Sequence, residues 1–274
     1  MKHEDWCFEG HRVRLYHRGR GPTLILLHGI GPGTSIPANF GAVIPLLAER
    51  FSLVGMDWIG FGGSQGKAAP PYFDPALWLR QARALVRRLG HPETRLWGQS
   101  IGGALALAVA ADEPSVAALV TTGSGGGRHR LNADLDRFWT LPDSVDAMRA
   151  AMASGNHDPA LATEALARER LATLSKGGLG RYFHTMMATD RQALLDAVRV
   201  PDERLRAISA RVLMIHGRED KPVPAGQNTL YLQARVKHCD TLLLSACGHN
   251  PCWEHPRRVA VAATRHLLGE DEQS

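Results

Sequence analysis

Long apolar runs are missing from this chain of 274 residues. The longest, at 104–111, falls far short of the roughly 20 residues a helix needs to cross a bilayer, so no membrane span is expected. Cysteine is scarce. Cys7, Cys239, Cys247 and Cys252 offer neither a CxxC pair nor the density of a disulfide framework, which excludes a disulfide scaffold and implies a reduced, cytoplasmic protein. The opening "MKHEDWCFEG" is polar and lacks the apolar stretch of a signal peptide. Blocks of lysine and arginine are also absent. The formal charge is +5 and the pI about 9.3, but basic and acidic residues are interspersed. That pattern argues against a nucleic-acid partner and leaves a mild preference for anionic small molecules. There is no internal repeat and no low-complexity tract.

What is present is ordinary globular material, 44% apolar and 22% charged, enough for one large domain or a core with a modest insertion. Short apolar runs alternate with segments of helical length. "TLILLH" (23–28), "FSLVGMD" (51–57), "TRLWG" (94–98) and "VAALVTTG" (116–123) read as strands, with helices expected at 39–50, 75–89 and 100–111 between them. The pattern returns with "ARVLMIHG" (210–217), a helix near 226–234, "DTLLLS" (240–245) and a last helix near 255–267. Continuous apolar strands separated by helices imply an α/β protein with a mostly parallel sheet covered on both faces. From 128 to 207 the chain is rich in alanine, leucine, arginine and glutamate, with no good strand and breaks near Pro142, Pro159, Gly177 and Pro201. This reads as a helical lid inserted between core segments 1–127 and 208–274. It would cover the carboxyl ends of the strands, where such sheets bind ligands.

At the third of these strands the sequence runs "TRLWGQSIGGALALAVA", and Gly98-Gln99-Ser100-Ile101-Gly102 has the form G-x-S-x-G between a strand and a helix. Ser100 is either a helix N-cap or a nucleophile on a sharp, strained turn. A serine hydroxyl needs a base to become nucleophilic. An elbow of this kind has an acid and then a histidine further along the chain. Asp220, in "HGREDKPVP" after a strand, and His249, in "SACGHNPCWEHP" after the last strand, occupy those places. The glycine-rich loop "HGIGPG" after "LILL" allows close backbone approach, so the Ile30 and Ile101 amides form the expected oxyanion pair. His28 is expected to buttress that loop. Such a site requires no metal and no organic cofactor.

Together these residues resemble the α/β-hydrolase superfamily across the whole chain. Within it they are similar to the meta-cleavage product hydrolases, which cut carbon–carbon bonds in ring-fission products of aromatic compounds. The resemblance rests on the "HGIGPG" loop with Gly31, on Asn39 eleven residues after His28, on the lid stretch "TEALARERLATLS" with Arg170, and on "CGHNPCWEHP" with Trp253. It implies a 2-hydroxy-6-oxo-dienoate substrate, with Asn39, Arg170, Gly31, Gln99 and Trp253 around it. Arg170 would meet the anionic group. Asn39 could equally cap a helix, and Trp58, Phe61, Trp139 and Trp253 could line an apolar pocket or simply pack. The resemblance also implies a homo-oligomer. Three departures, Gln99, Asn250 and Ile59, leave a carboxylesterase or lactonase with the same triad as the alternative. A non-catalytic ligand-binding protein is the remaining one.

Overall fold

The computed structural model of the protein describes residues 1–270. Eight strands form one sheet: β1 (Lys2–Phe8), β2 (His11–Arg18), β3 (Thr23–Leu27), β4 (Ser52–Met56), β5 (Thr94–Gln99), β6 (Val116–Thr122), β7 (Arg211–Gly217) and β8 (Cys239–Leu244). Their spatial order is β1-β2-β4-β3-β5-β6-β7-β8, and only β2 runs antiparallel to its neighbours. The six strands expected from the sequence are all there. The β1–β2 hairpin was not anticipated, because β1 opens on four exposed polar residues and turns only Trp6 and Phe8 to the core. Its two-residue turn, Glu9-Gly10, has φ of 44° and 76°, the left-handed pair that suits a tight hairpin.

The inner strands read as unbroken apolar runs because each face meets a different layer. On β3, Ile25 and Leu27 join the helices Pro75–Leu89 and Ile101–Asp112 in one core, while Leu24 and Leu26 join Phe40, Val259 and Ala263 of the last helix in another. Pro75–Leu89 begins at Asp74, whose carboxylate accepts the Leu77 N–H at 2.9 Å, and ends at left-handed Gly90. The helix expected over 39–50 is instead two, Ile36–Phe40 and Ile44–Leu47, since a helix cannot run through Pro45 without losing a hydrogen bond. The helix expected at 226–234 is likewise split at Asn228, into a 3₁₀ turn, Ala225–Gln227, and Thr229–Gln233.

Between β6 and β7 there is no strand. The segment folds as helices Ala133–Phe138, Val145–Ser154, Glu164–Ser175, Leu179–Met187, Arg191–Ala197 and Asp202–Ala207. Side chains of Asn132, Ser144, Thr163 and Asp190 cap four of them, which is why the chain breaks where it does. The last, Asp202–Ala207, lies against the core: Arg204 donates to the Ala108 carbonyl at 3.2 Å and pairs with Asp112 at 2.5 Å. Among the described residues no helix is long and apolar enough to cross a membrane.

Candidate active site

Ser100 sits between β5 and the buried helix Ile101–Asp112 with φ 55° and ψ −122°, a strained conformation for a residue with a side chain. Its glycine neighbours make the turn possible. A Cβ on Gly98 would come within 2.6 Å of the Gly103 Cα, and one on Gly102 would strike the Leu27 and His28 carbonyls. The main chain is pinned by the Ser100 N–H donating to the Thr122 carbonyl at 2.9 Å. Ser100 occupies the N-cap position, yet its hydroxyl caps nothing. It points instead to histidine.

His249 Nε2 lies 3.1 Å from Ser100 Oγ, and His249 Nδ1 lies 2.8 Å from Asp220 Oδ2. All three residues are buried. Burial pushes the Asp220 carboxyl up, but the His249 charge and hydrogen bonds from His216 and His249 override it and bring it to about 2. Burial pushes His249 down, and the Asp220 carboxylate more than offsets that, leaving its pKa above the ordinary value.

The sequence reading missed a second histidine on the same carboxylate. Fully buried His216 places Nε2 2.9 Å from Asp220 Oδ2 and 2.8 Å from the Val223 carbonyl, with Nδ1 2.7 Å from Thr229 Oγ1. Two acceptors facing Nε2 require the proton there. Asp220 Oδ1 accepts the Val223 N–H at 2.8 Å. The signal was in view, since "IHGRED" carries His216 one residue before the turn that delivers Asp220.

The loop after β3 runs directly beside the nucleophile: a Cβ on Gly29 would be 2.8 Å from Ser100 Cβ. The Ile30 and Ile101 backbone N–H groups have no protein acceptor among the described residues. His28 buttresses this loop. Its Nδ1 donates to the Gly29 carbonyl at 2.6 Å, and its Nε2 accepts the Trp58 N–H at 3.1 Å, while burial brings its pKa to about 4. Asn39, read as a substrate contact or a helix cap, lies inside the helix that Ser35 caps, and its Oδ1 accepts the Gly29 N–H at 2.6 Å. Gln99, expected at the substrate, is a strut. Its Oε1 accepts from Thr122 at 2.5 Å and its Nε2 donates to the His249 carbonyl at 2.9 Å, so both ends of the amide are engaged by the protein.

Two chambers flank this centre. The larger is lined by Gly33, Phe138, Arg170, Asn250 and Trp253. Arg170 has no hydrogen-bond or ion-pair partner among the described residues, although the exposed Glu169 lines the same chamber. Burial lowers its pKa to about 10, so the guanidinium stays charged near neutrality. The Trp253 indole donates to the Ala38 carbonyl at 2.9 Å and offers only its ring. Asn250 donates to Asn156 Oδ1 at 2.7 Å. Gly31 backs the chamber: a Cβ there would come within 2.7 Å of the Phe138 ring, which itself stands edge-on to His249. The smaller chamber contains Ser100 and Ile101 in its wall, with Gly126, His129, Trp139 and Val198. Trp58 and Phe61 pack instead into a buried aromatic cluster with Trp78. Among the described residues no group of histidine, cysteine, aspartate and glutamate could hold a metal ion.

A family model described as the alpha/beta hydrolase fold matches residues 22–256. The chain belongs to the α/β-hydrolase family. This hydrolase is 31% identical to a 2-hydroxymuconate semialdehyde hydrolase of a Pseudomonas species over 96% of its own length and 92% of the relative's. It is 30% identical to a 2-hydroxy-6-oxo-2,4-heptadienoate hydrolase of Pseudomonas putida, over 96% and 95% of the two chains. Among solved structures, the meta-cleavage product hydrolase of Pseudomonas fluorescens IP01 superposes with a TM-score of 0.91 at 27% identity, covering 98% of each chain.

Proposed function

We propose that this hydrolase cleaves the carbon–carbon bond of a 2-hydroxy-6-oxo-dienoate, the ring-fission product of an aromatic compound, using Ser100, His249 and Asp220. The observation that carries the reading is a hydrogen-bonded Ser100–His249–Asp220 chain beside a chamber whose one guanidinium, Arg170, is unpaired. Arg170 takes the substrate carboxylate, which sets the 6-oxo carbon at Ser100. The dienol first becomes a ketone by moving its hydroxyl proton to C5, giving the departing carbon an electron sink. Ser100 Oγ attacks C6 as His249 Nε2 takes its proton, and the Ile30 and Ile101 N–H groups receive the oxyanion. The C5–C6 bond breaks, its electron pair flows into the 2-oxo acid fragment, and His249 returns the proton. Water, deprotonated by His249, then releases the acid from Ser100.

The helices of 128–207 act as the lid, bringing Phe138 and Arg170 over the strand ends. The four free thiols fit a reducing, cytoplasmic setting. The test is a parallel assay of a coloured dienoate and a p-nitrophenyl ester with the wild type and Ser100→Ala. Bleaching of the dienoate that Ser100→Ala loses by about 10³-fold or more is expected. Ester turnover without bleaching would assign a carboxylesterase, and a fully active Ser100→Ala would remove the mechanism.

A further inference from the structure

His129 is a buried histidine beside Ser100 that the triad does not use. It is only 6% exposed, and it lines the smaller chamber whose wall includes Ser100. Neither of its ring nitrogens has a hydrogen-bond partner among the described residues, and no other histidine there has both buried and unmatched. A buried imidazole left unsatisfied costs free energy comparable to a lost hydrogen bond, so its presence calls for a ligand group. The backbone that carries the ring is fixed. Its own carbonyl accepts from Gln192 at 3.2 Å, and the flanking Gly127 and Arg130 N–H groups donate to Asn228 and Gln227 at 3.3 and 3.2 Å.

The two chambers divide the substrate. Arg170 claims the carboxylate end for the larger one, so the substituent on the 6-oxo carbon enters the smaller. That chamber is small, and no lysine, arginine, aspartate or glutamate lines it. Burial takes His129 down to about 4, with only the Asp220 charge opposing and the neighbouring His249 and His216 adding to the fall. It therefore enters the reaction neutral, with one N–H to donate and one ring nitrogen to accept. A carboxylate would be buried there without a cation, and a phenyl or alkyl group would leave both nitrogens unmatched.

We infer that His129 forms a polar acyl subsite that selects a short substituent bearing an uncharged hydrogen-bonding group, such as a hydroxymethyl. This rests on the carbon–carbon hydrolase reading for the substrate's orientation. The natural supplier would be a ring-opening dioxygenation of a catechol that carries a hydroxyalkyl group beside its hydroxyls.

The decisive pair is isosteric: a dienoate with a 6-hydroxymethyl group and one with a 6-ethyl group. The wild type should favour the hydroxymethyl compound by about tenfold in kcat/KM, the worth of one buried hydrogen bond plus the penalty of leaving its partner unmatched. His129→Phe should abolish or reverse that ratio, and His129→Gln should keep part of it, with thermal unfolding checking that both variants fold. An equal or ethyl-favouring ratio in the wild type, or a ratio that His129→Phe leaves unchanged, overturns the inference. The same ratio is read with p-nitrophenyl glycolate and propionate, whose acyl groups carry the same two ends. If no dienoate is cleaved, the carbon–carbon reading fails, and the ester pair alone decides the role of His129.

Discussion

Polar atoms around Ser100 are treated in two opposite ways. In the triad and the strut beside it they are matched within the protein: Asp220 by His249, His216 and the Val223 N–H, and Gln99 by Thr122 and the His249 carbonyl. In the chambers Arg170 and His129 have no such partner. The first group must hold a proton-transfer geometry in the absence of substrate, and fixed hydrogen bonds achieve this. In the second group, buried His129 carries an unmet desolvation cost that a complementary substrate relieves, and half-buried Arg170 offers an unmatched charge. On the proposed function, the difference separates residues that organise catalysis from residues that select what is catalysed.

The comparison breaks most visibly at Asp220. Asp220→Asn should lower kcat by about 10⁴-fold, because the imidazole loses the partner that fixes its tautomer. Its pH profile carries a sign as well. Activity needs neutral His249, whose pKa the carboxylate holds above 6.5, so the wild-type acid limb falls above that pH. With asparagine, burial is opposed only by the weaker Glu254 charge, and the limb should move to lower pH. An unmoved limb would mean that another group titrates there.

Arg170→Ala comes next. It should lower kcat/KM for a dienoate by about 10²-fold, the scale of a lost charge-assisted bidentate contact, while a neutral ester changes little. Equal losses on both substrates would place Arg170 on the structural side of the comparison. His216→Leu should lower kcat by about tenfold, since a hydrogen bond to a charged carboxylate is worth about 1.5–3 kcal/mol. His216→Gln, which retains a donor, should recover much of it. If the two variants behave alike, His216 only fills space.

Gln99→Ala is the smallest expected effect on selectivity. It should cost about 1–3 kcal/mol of stability in denaturant unfolding by leaving the Thr122 hydroxyl proton and the His249 carbonyl without their partners, with the ratio of dienoate to ester activity unchanged. A change in that ratio would return Gln99 to the substrate.

Much of the fold could be read in advance because parallel strands covered on both faces are continuous apolar runs, as "TLILL" and "RVLMI" show. The β1–β2 hairpin escaped because its apolar face is only Trp6, Phe8, Val13 and Leu15, set among charged residues. The split at Pro45 was written in the sequence, and a helix-length window averaged over it. At the site, Ser100, Asp220 and His249 were legible from order and loop position. The backbone contacts of Asn39 and Gln99 were not, because nothing local in the sequence says which backbone groups an amide will meet.

By itself, the amino-acid sequence determined the strand–helix alternation, the glycines that permit the elbow, and the serine–acid–histidine order. These are local: backbone sterics and chain order settle them without knowing what packs against what. Only the tertiary structure decided that His216 shares the Asp220 carboxylate, that Gln99 is a strut, and that Arg170 and His129 stand unpaired in separate chambers. Whether a buried polar group is satisfied depends on which distant segments close around it. His249 lies 149 residues from the serine it serves, and only folding brings the two within 3.1 Å.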